Sequence, residues 1–225
     1  MKKLLITLAA AIATCVLVAA PRGPRASQNH VPSTLEGTRQ FETAAANYNH
    51  IALVNVGGAV ADEDWALSAT YAVSLLQINV WTNSAASIEL EKLVKENDYT
   101  AKLLGNEKAK VAVYFVNIPG GARIISSPGA WAVVNTADLK EGNPDAQIYR
   151  DRVAKSVMKG LAAAGGGGAT LEPFCSLFYG SQDIQGMDKT NIAISPMCYF
   201  PMLEILRGAG GNEIIAPVGE MGEEE

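Results

Sequence analysis

Apolar and polar residues alternate along the chain in a pattern that predicts its first strands and helices. The apolar run HIALVNVGG at 50–58 is closed by glycines and predicts a strand. The stretch DEDWALSATYAVSLLQ begins with three acids, which suit the positive end of a helix dipole, and it predicts a helix. INVWT then predicts a second strand, and SAASIELEKLVKENDYTAKLL predicts a second helix. The apolar stripe of the first helix is Trp65, Ala69, Ala72, Val73 and Leu76, and the expected inward residues of the second are Leu90, Leu93 and either Leu103 or Leu104.

The central part of the chain predicts three short strands and then a long helix. The strands are KVAVYFVN, ARIISS and AWAVVNT, with proline-glycine turns at 119–121 and 127–129 between them. Asn143 and Pro144 predict the start of the helix, as its N-cap and its first helical residue. An apolar row at i, i+4 spacing should face the sheet, and it consists of Tyr149, Val153, Val157, Leu161 and Ala164. Another side of the helix carries Ile148, Arg152, Lys155 and Lys159.

This order of elements, β-α-β-α-β-β-β-α, predicts the fold class. We expect an α/β or α+β layered domain in which a mixed sheet packs on two or three helices. The long helix should end in the glycine turn GGGG at 165–168. A flexible helix C-cap is the other interpretation of these glycines.

The N-terminal segment has the layout of an export signal. Lys2 and Lys3 precede seventeen uncharged, mostly apolar residues at 4–20, which predicts a periplasmic or extracellular protein. Three outcomes stay open: cleavage near Ala20, retention of 4–20 as a short membrane anchor, and lipid attachment at Cys15. The predicted organisation is a signal or anchor at 1–20, a polar tether at 21–50, a folded domain at 51–208 and an acidic flexible tail at 209–225.

Composition and charge narrow the partners. The net charge of −5 and the absence of a Lys/Arg cluster beyond residue 39 argue against nucleic acid as a partner. Contact with a membrane is expected only through the N-terminal segment, if it is uncleaved or lipidated. After export, Cys175 and Cys198 form an even pair in an oxidising compartment, so a disulfide is expected, with two free thiols as the alternative.

Few residues in the chain suit catalysis by the common routes. The glycine run follows a helix rather than preceding one, so it does not predict a phosphate site. The chain lacks the G-x-S-x-G nucleophile motif and has two histidines, His30 in the expected tether and His50 before the first strand. A hydrolase that uses Asp183 or Asp188 with His50 remains an alternative.

The long helix, its glycine turn and the following cysteine loop have the layout of a zinc peptidase. From 159 to 198 the chain resembles, without a gap, the archaemetzincin motif H-E-x-x-H-x-x-G-x-x-H-C-x₄-C-x-M-x₁₇-C-x-x-C. VAVYFVNIPGGARIISSPGAWAVVNTADL, IYRDRVAKSVMKGL and MDKT are similar to other segments of that family, and the resemblance covers residues 51–200. It implies a metzincin-like α+β fold.

Most signature residues of the family are replaced in this chain. The resemblance sets the zinc-binding and catalytic positions on Lys159, Gly160, Ala163 and Ala169, with the turn glycine on Gly166. It sets the four structural-zinc cysteines on Thr170, Cys175, Ser195 and Cys198, and the family methionine on Leu177. A Cys175–Cys198 disulfide would suit two residues that once shared a zinc ion. A metal held by these thiols with Glu172, Asp183 or Asp188 is the lesser alternative.

The resemblance therefore implies a protein that has lost its zinc and its peptidase activity, and the N-terminal segment predicts its export. We expect no cofactor, and we expect a peptide or protein partner at the old substrate edge strand near AWAVVNT, with Lys159 as a candidate ligand contact. For Lys159 the alternative is a side chain that extends to solvent. Two other functions stay open: a hydrolase or metallopeptidase with non-standard site residues, and a structural envelope protein.

Overall fold

The fold is a five-stranded mixed sheet with helices on both faces. The computed structural model describes residues 29–34, 50–76 and 80–208. The strands are β1 (Ile51–Val56), β2 (Trp81–Ala85), β3 (Val111–Val116), β4 (Ile124–Ser127) and β5 (Trp131–Asn135), in the order β2-β1-β3-β5-β4. All neighbouring pairs are parallel except β4 with β5, which are antiparallel. The predicted α/β class with a mixed sheet is confirmed.

Six α-helices and one short 3₁₀ turn complete the described elements. They are α1 (Asp62–Leu76), α2 (Leu90–Lys95), α3 (Tyr99–Leu104), α4 (Ala146–Ala164), the 3₁₀ turn (Tyr179–Ser181), α5 (Ile184–Asp188) and α6 (Pro196–Gly208).

Both faces of the sheet are buried, which explains why β3 is apolar throughout and β1 is apolar apart from the buried Asn55. Ile51 and Leu53 belong to the larger core, which includes residues of α1, α4 and α6. Their neighbours Ala52 and Val54 belong to a second, smaller core, together with Leu93 of α2 and Tyr99 of α3. Successive side chains of a strand point to opposite faces, so a strand covered on both sides has no polar alternation.

The apolar row predicted for the long helix is confirmed. Tyr149, Val153, Val157, Leu161 and Ala164 are all buried in the larger core. The other predicted side of the helix differs from a solvated polar face: Arg152, Lys155 and Lys159 are buried too. The chain after α4 covers them, and this places three cations in the interior next to the candidate site.

Three element boundaries were predicted wrongly. The expected second helix at 84–104 is two helices, α2 and α3, because the chain turns extended at Glu96 before Asn97 and Asp98, residue types that favour turns. Leu93 is buried as expected, but Leu90 is 38% exposed, while Leu103 and Leu104 pack partly buried on the smaller core. The second strand, predicted at 78–82, extends to Ala85 and does not include Val80, and residues 77–79 lie outside the described residues.

The start of α4 is the third correction. Asp145, not Asn143, is the N-cap, because its carboxylate accepts the backbone N–H of Ile148 at 2.8 Å. Asn143 instead has a φ of +50°, a left-handed turn conformation that asparagine tolerates well.

The organisation predicted for the chain ends falls mostly outside the described residues. Positions 1–28, 35–49 and 209–225 lie there, so the signal or anchor, most of the tether and the tail stay predictions. Within 29–34, Val31 is buried and its backbone N–H donates to Asp151 of α4 at 2.8 Å. Among the described residues, no helix is long and apolar enough to span a bilayer.

Candidate functional site

The glycine run after α4 forms a closed helix end. The N–H of Gly166 donates to the carbonyl of Ala163 at 3.3 Å, and the N–H of Gly167 donates to that of Ala162 at 2.6 Å. This is the Schellman pattern, in which the residue after the C-cap adopts a left-handed conformation. Gly166 occupies that position with a φ of +69°, and a Cβ there would lie 2.8 Å from Ile205 Cδ1. The predicted glycine turn is confirmed, as the ordered C-cap of α4.

Gly160 is the point where α4 touches the sheet. A Cβ at this position would lie 2.4 Å from Val113 Cγ1 and 2.8 Å from Val134 Cγ2, and both valines are fully buried. Atoms at those separations overlap, so the position excludes every side chain. The resemblance sets the catalytic glutamate of the zinc peptidases on this residue, and the helix–sheet packing of this chain leaves a glutamate no room.

Lys159 lies next to Gly160, and its ammonium group is held inside the protein. Its Nζ donates to Ser181 Oγ at 2.8 Å and also to the carbonyl of Ser181. The Ser181 side chain also contacts the carbonyls of Phe178, at 2.6 Å, and Ser176, at 3.2 Å. Lys159 is 7% exposed and Ser181 is fully buried. The lysine thus does not extend to solvent, and the place expected to meet a ligand is filled by a serine.

The surroundings of this lysine destabilise its charged form relative to a lysine in water. Burial, together with the nearby positive charges of Arg123 and Lys155, lowers the pKa of Lys159 to about 8. The carboxylates of Asp183 and Asp138 act in the opposite direction. A lysine and a serine in hydrogen-bond contact, with the lysine pKa close to neutral pH, form the arrangement in which an amine activates a hydroxyl nucleophile.

Arg123 lies close enough to this lysine for its positive charge to lower the lysine pKa. The residue directly precedes β4, and its Nη2 pairs with Asp138. Its Nη1 is buried and has no hydrogen-bond partner among the described residues. An unpaired guanidinium donor beside Lys159 is a group that could stabilise an oxyanion.

The strand predicted from AWAVVNT is not at an edge of the sheet, whose two edge strands are β2 and β4. That segment is β5, which lies between β3 and β4 and has hydrogen-bonded neighbours on both sides. The buried amide of Asn135 at the end of β5 donates to the carbonyls of Ile118 and Gly121, and so fixes the turn that leads to Arg123 and β4.

The residues at the positions implied for the catalytic zinc do not fit that ion. Lys159 is hydrogen-bonded to Ser181, and Gly160 has no side-chain donor. Ala163 is partly buried against the core, and Ala169 is exposed. Within 29–34, 50–76 and 80–208, no group of three or more His, Cys, Asp or Glu side chains could hold a metal ion. We therefore derive no chemistry from zinc, and the absence of a cofactor stays a prediction.

Three of the four positions implied for the structural zinc are linked by hydrogen bonds, and the fourth, Thr170, pairs with a different residue. The N–H of Ser195 donates to Cys175 Sγ at 3.2 Å, the N–H of Cys198 donates to the carbonyl of Ser195, and Thr170 forms an isolated bridge with Phe178. Both cysteines are free thiols, so the structure does not support the predicted disulfide. Burial raises the pKa of Cys175, which keeps its sulfur protonated.

The carboxylates and histidines considered as an alternative catalytic set are not brought together. His50 Nδ1 contacts the carbonyl of Lys108 at 2.8 Å. Asp183 caps α5 by accepting the N–H of Gly186, and Asp188 pairs with Arg152. Glu172 is exposed. Each of these groups serves a separate local contact.

Comparison with known proteins gives one consistent result, which concerns the fold. No protein-family model and no curated protein sequence matches the chain. The structure is similar to archaemetzincin from Methanopyrus kandleri, with a TM-score of 0.50 and 16% identity over 72% of this chain and 97% of that one. It is also similar to a zinc-dependent peptidase from Methanocorpusculum labreanum, with a TM-score of 0.55 and 13% identity over 68% of this chain and 99% of that one. The predicted archaemetzincin-like fold is confirmed.

The prediction that the protein is not an enzyme is overturned by this comparison. One chain of similar fold is a zinc-dependent peptidase, and no feature of the described residues demonstrates a loss of activity. In the sequence, only a histidine or a carboxylate was expected to act as the base for a nucleophile. Ser181 and Arg123 were therefore not predicted as site residues. The only signal for Ser181 in the sequence was the lysine at a position where the motif has histidine.

Proposed function

We propose that this protein is a hydrolase that cleaves peptides with a serine nucleophile, Ser181, and a lysine base, Lys159. The observation that carries the proposal is the 2.8 Å contact between Lys159 Nζ and Ser181 Oγ inside an archaemetzincin-like fold. Serine–lysine pairs are a known variant of the serine hydrolase mechanism.

The chemistry follows from the protonation state of the lysine. With a pKa of about 8, roughly a tenth of Lys159 is neutral at pH 7. The neutral amine accepts the proton of Ser181 Oγ while that oxygen bonds to the peptide carbonyl carbon. The resulting ammonium then donates the proton to the leaving amine as the C–N bond breaks, and a water molecule hydrolyses the acyl ester with Lys159 again as base.

The substrate is proposed to lie along β4. This strand has β5 on one side only, so its outer backbone groups can pair with an extended peptide. Arg123 stands at the start of β4, and its unpaired Nη1 would donate to the developing oxyanion. Because Ser181 is fully buried, the mechanism requires the segment around the 3₁₀ turn to move when substrate binds.

Peptide cleavage in the presence of a chelator tests the proposal. The full chain is assayed with a quenched-fluorescent peptide library, with and without EDTA and 1,10-phenanthroline, and treated with a fluorophosphonate that labels activated serines. We expect cleavage that survives chelation and a label on Ser181 in the mass spectrum. Ser181→Ala should abolish both signals.

Ser176→Ala is the matched control. Ser176 is as buried as Ser181, and its Oγ has no hydrogen-bond partner among the described residues, so its loss should leave cleavage unchanged. Cleavage by Ser181→Ala at the wild-type rate would refute the role of Ser181. Cleavage that disappears on chelation and returns with zinc would show a metal site that the described residues do not explain.

Export of the protein is proposed from the N-terminal pattern alone. N-terminal sequencing of the mature protein from its native compartment tests it: a start near residue 21 indicates cleavage, and an intact Met1 in the cytoplasm contradicts export.

A further inference from the structure

A small cavity lies on the side of α4 that faces residues 29–31 and α5. Its volume is about 200 Å³, below the range of roughly 300 to 1,000 Å³ that holds drug-sized ligands. Side chains of both charge signs line it, namely Lys155, Asp151 and Asp188, next to the apolar Ile148. A cavity of this size and lining suits a molecule of a few heavy atoms that carries both charges.

Lys155 is the one cation of the lining that has no carboxylate partner within salt-bridge distance among the described residues. It is 5% exposed, and its Nζ donates to the carbonyl of Met187 at 3.0 Å. An ammonium group has three donors, so this bond leaves capacity for a ligand. A buried charge is stable only when it is paired and hydrogen-bonded, and a carboxylate placed in the cavity would meet that need.

The carboxylates of the lining are already fixed in place, each by a cation or a donor set. Asp151 contacts His30 Nδ1 at 2.6 Å and accepts from Gln147 Nε2 at 3.0 Å, in addition to the N–H of Val31. Asp188 accepts two bonds from Arg152, from Nε at 2.8 Å and from Nη2 at 2.7 Å. A carboxylate has about four lone-pair sites. Asp188, whose side chain is 36% exposed, therefore retains capacity to accept an ammonium group.

We propose that this cavity binds a small zwitterion of the free α-amino acid type. Lys155 Nζ binds its carboxylate, Asp188 accepts its ammonium group, and Ile148 contacts an apolar side chain. A simple anion would meet Asp188, and a simple cation would meet Lys155, so each alone is disfavoured by a like charge. The site is separate from the Lys159–Ser181 pair, and the proposal does not depend on hydrolysis.

Calorimetric titration of the full chain with L-leucine tests the site. Isovalerate and isopentylamine carry the two charged halves of leucine separately and serve as probes. We expect leucine to bind, and each half to bind at least about tenfold more weakly, because a charge-assisted hydrogen bond is lost in each case. Lys155→Met should weaken leucine binding by about tenfold or more, and Lys189→Met, which removes an exposed lysine outside the cavity, should not.

Ile148→Trp provides a second variant that fills the cavity from its exposed rim and leaves the buried lysine in place. It should also weaken leucine binding. The proposal is overturned if the wild type does not bind leucine at millimolar concentration, if Lys155→Met binds leucine as the wild type does, or if isovalerate binds as tightly as leucine. The last result would assign a plain anion site.

Discussion

Lys155 and Lys159 lie one helical turn apart on α4 and are almost equally buried, at 5% and 7% exposure. Burial lowers the pKa of both. At Lys155 the carboxylates of Asp151 and Asp188 act against burial, and Arg152 acts with it. At Lys159 the positive charges of Arg123 and Lys155 act with burial, with smaller opposing effects of Asp183 and Asp138. The same residue type on one face of one helix therefore lies in two different charge environments, which is the basis of the separate roles proposed for the two lysines.

Exchange of each lysine for methionine is the strongest test of this difference. Lys159→Met should reduce peptide cleavage about 100-fold or more, because a general base contributes about 10² to 10⁴ in rate. Lys155→Met should keep cleavage within a fewfold of the wild type, since it does not contact Ser181. The cleavage rates are measured in the quenched-peptide assay. An equal loss of cleavage rate in both variants would refute separate roles for the two lysines.

Gly160, next to Lys159, is the point where α4 packs directly on the sheet. Gly160→Val should lower the free energy of unfolding by about 3 kcal/mol or more, because the new side chain overlaps Val113 and Val134. Urea denaturation measures this loss of unfolding free energy. Gly168→Val is the control, since nothing lies within 4 Å of a Cβ at that position and its φ is not in the left-handed region. Similar losses in the two variants would refute the close packing.

The pH dependence of stability tests the lowered pKa of Lys159. In the unfolded chain Lys159 titrates near 10.5 and in the folded protein near 8, so between these values the unfolded state binds more protons. Stability contributed by this residue then rises as pH increases from about 8 to 10.5, by at most about 3 kcal/mol.

Lys159→Met should lack that rise, so the difference in unfolding free energy between wild type and variant should change by that amount between pH 8 and 10.5. Urea denaturation at several pH values measures the unfolding free energy of each protein, and Lys189→Met is the control for loss of an exposed lysine. A constant difference between wild type and Lys159→Met across this window would show that the lysine stays charged in the folded protein.

The smallest effect concerns the wall of the cavity beside Lys155. His30→Ala removes the contact with Asp151 and should weaken leucine binding by a fewfold, with a stability change below about 1 kcal/mol, because the histidine side chain is 56% exposed. Peptide cleavage should not change. His50→Ala is the control, because it removes a similar contact, that of His50 Nδ1 with the backbone carbonyl of Lys108. An equal effect of both variants on leucine binding would remove His30 from the site.

The sequence by itself determined the parts of this protein that depend on local periodicity. The i, i+4 apolar row from Tyr149 to Ala164 and the glycines after it predicted α4 and its end, because helix geometry and left-handed backbone conformation are properties of neighbouring residues. Gly166 is in the position where the motif requires glycine. The resemblance over 51–200 predicted the fold correctly, since fold similarity persists when the signature side chains are lost.

Only the tertiary structure brought together the residues of the proposed active site. Lys159 and Ser181 are 22 residues apart and meet because the segment after the glycine turn folds back over α4. Whether a lysine extends to solvent or lies buried beside a hydroxyl group depends on that covering segment, not on the lysine. Gly160 likewise looked like a lost glutamate in the sequence, whereas in the fold it is a helix–sheet contact that no side chain can occupy, because two buried valines fill the space.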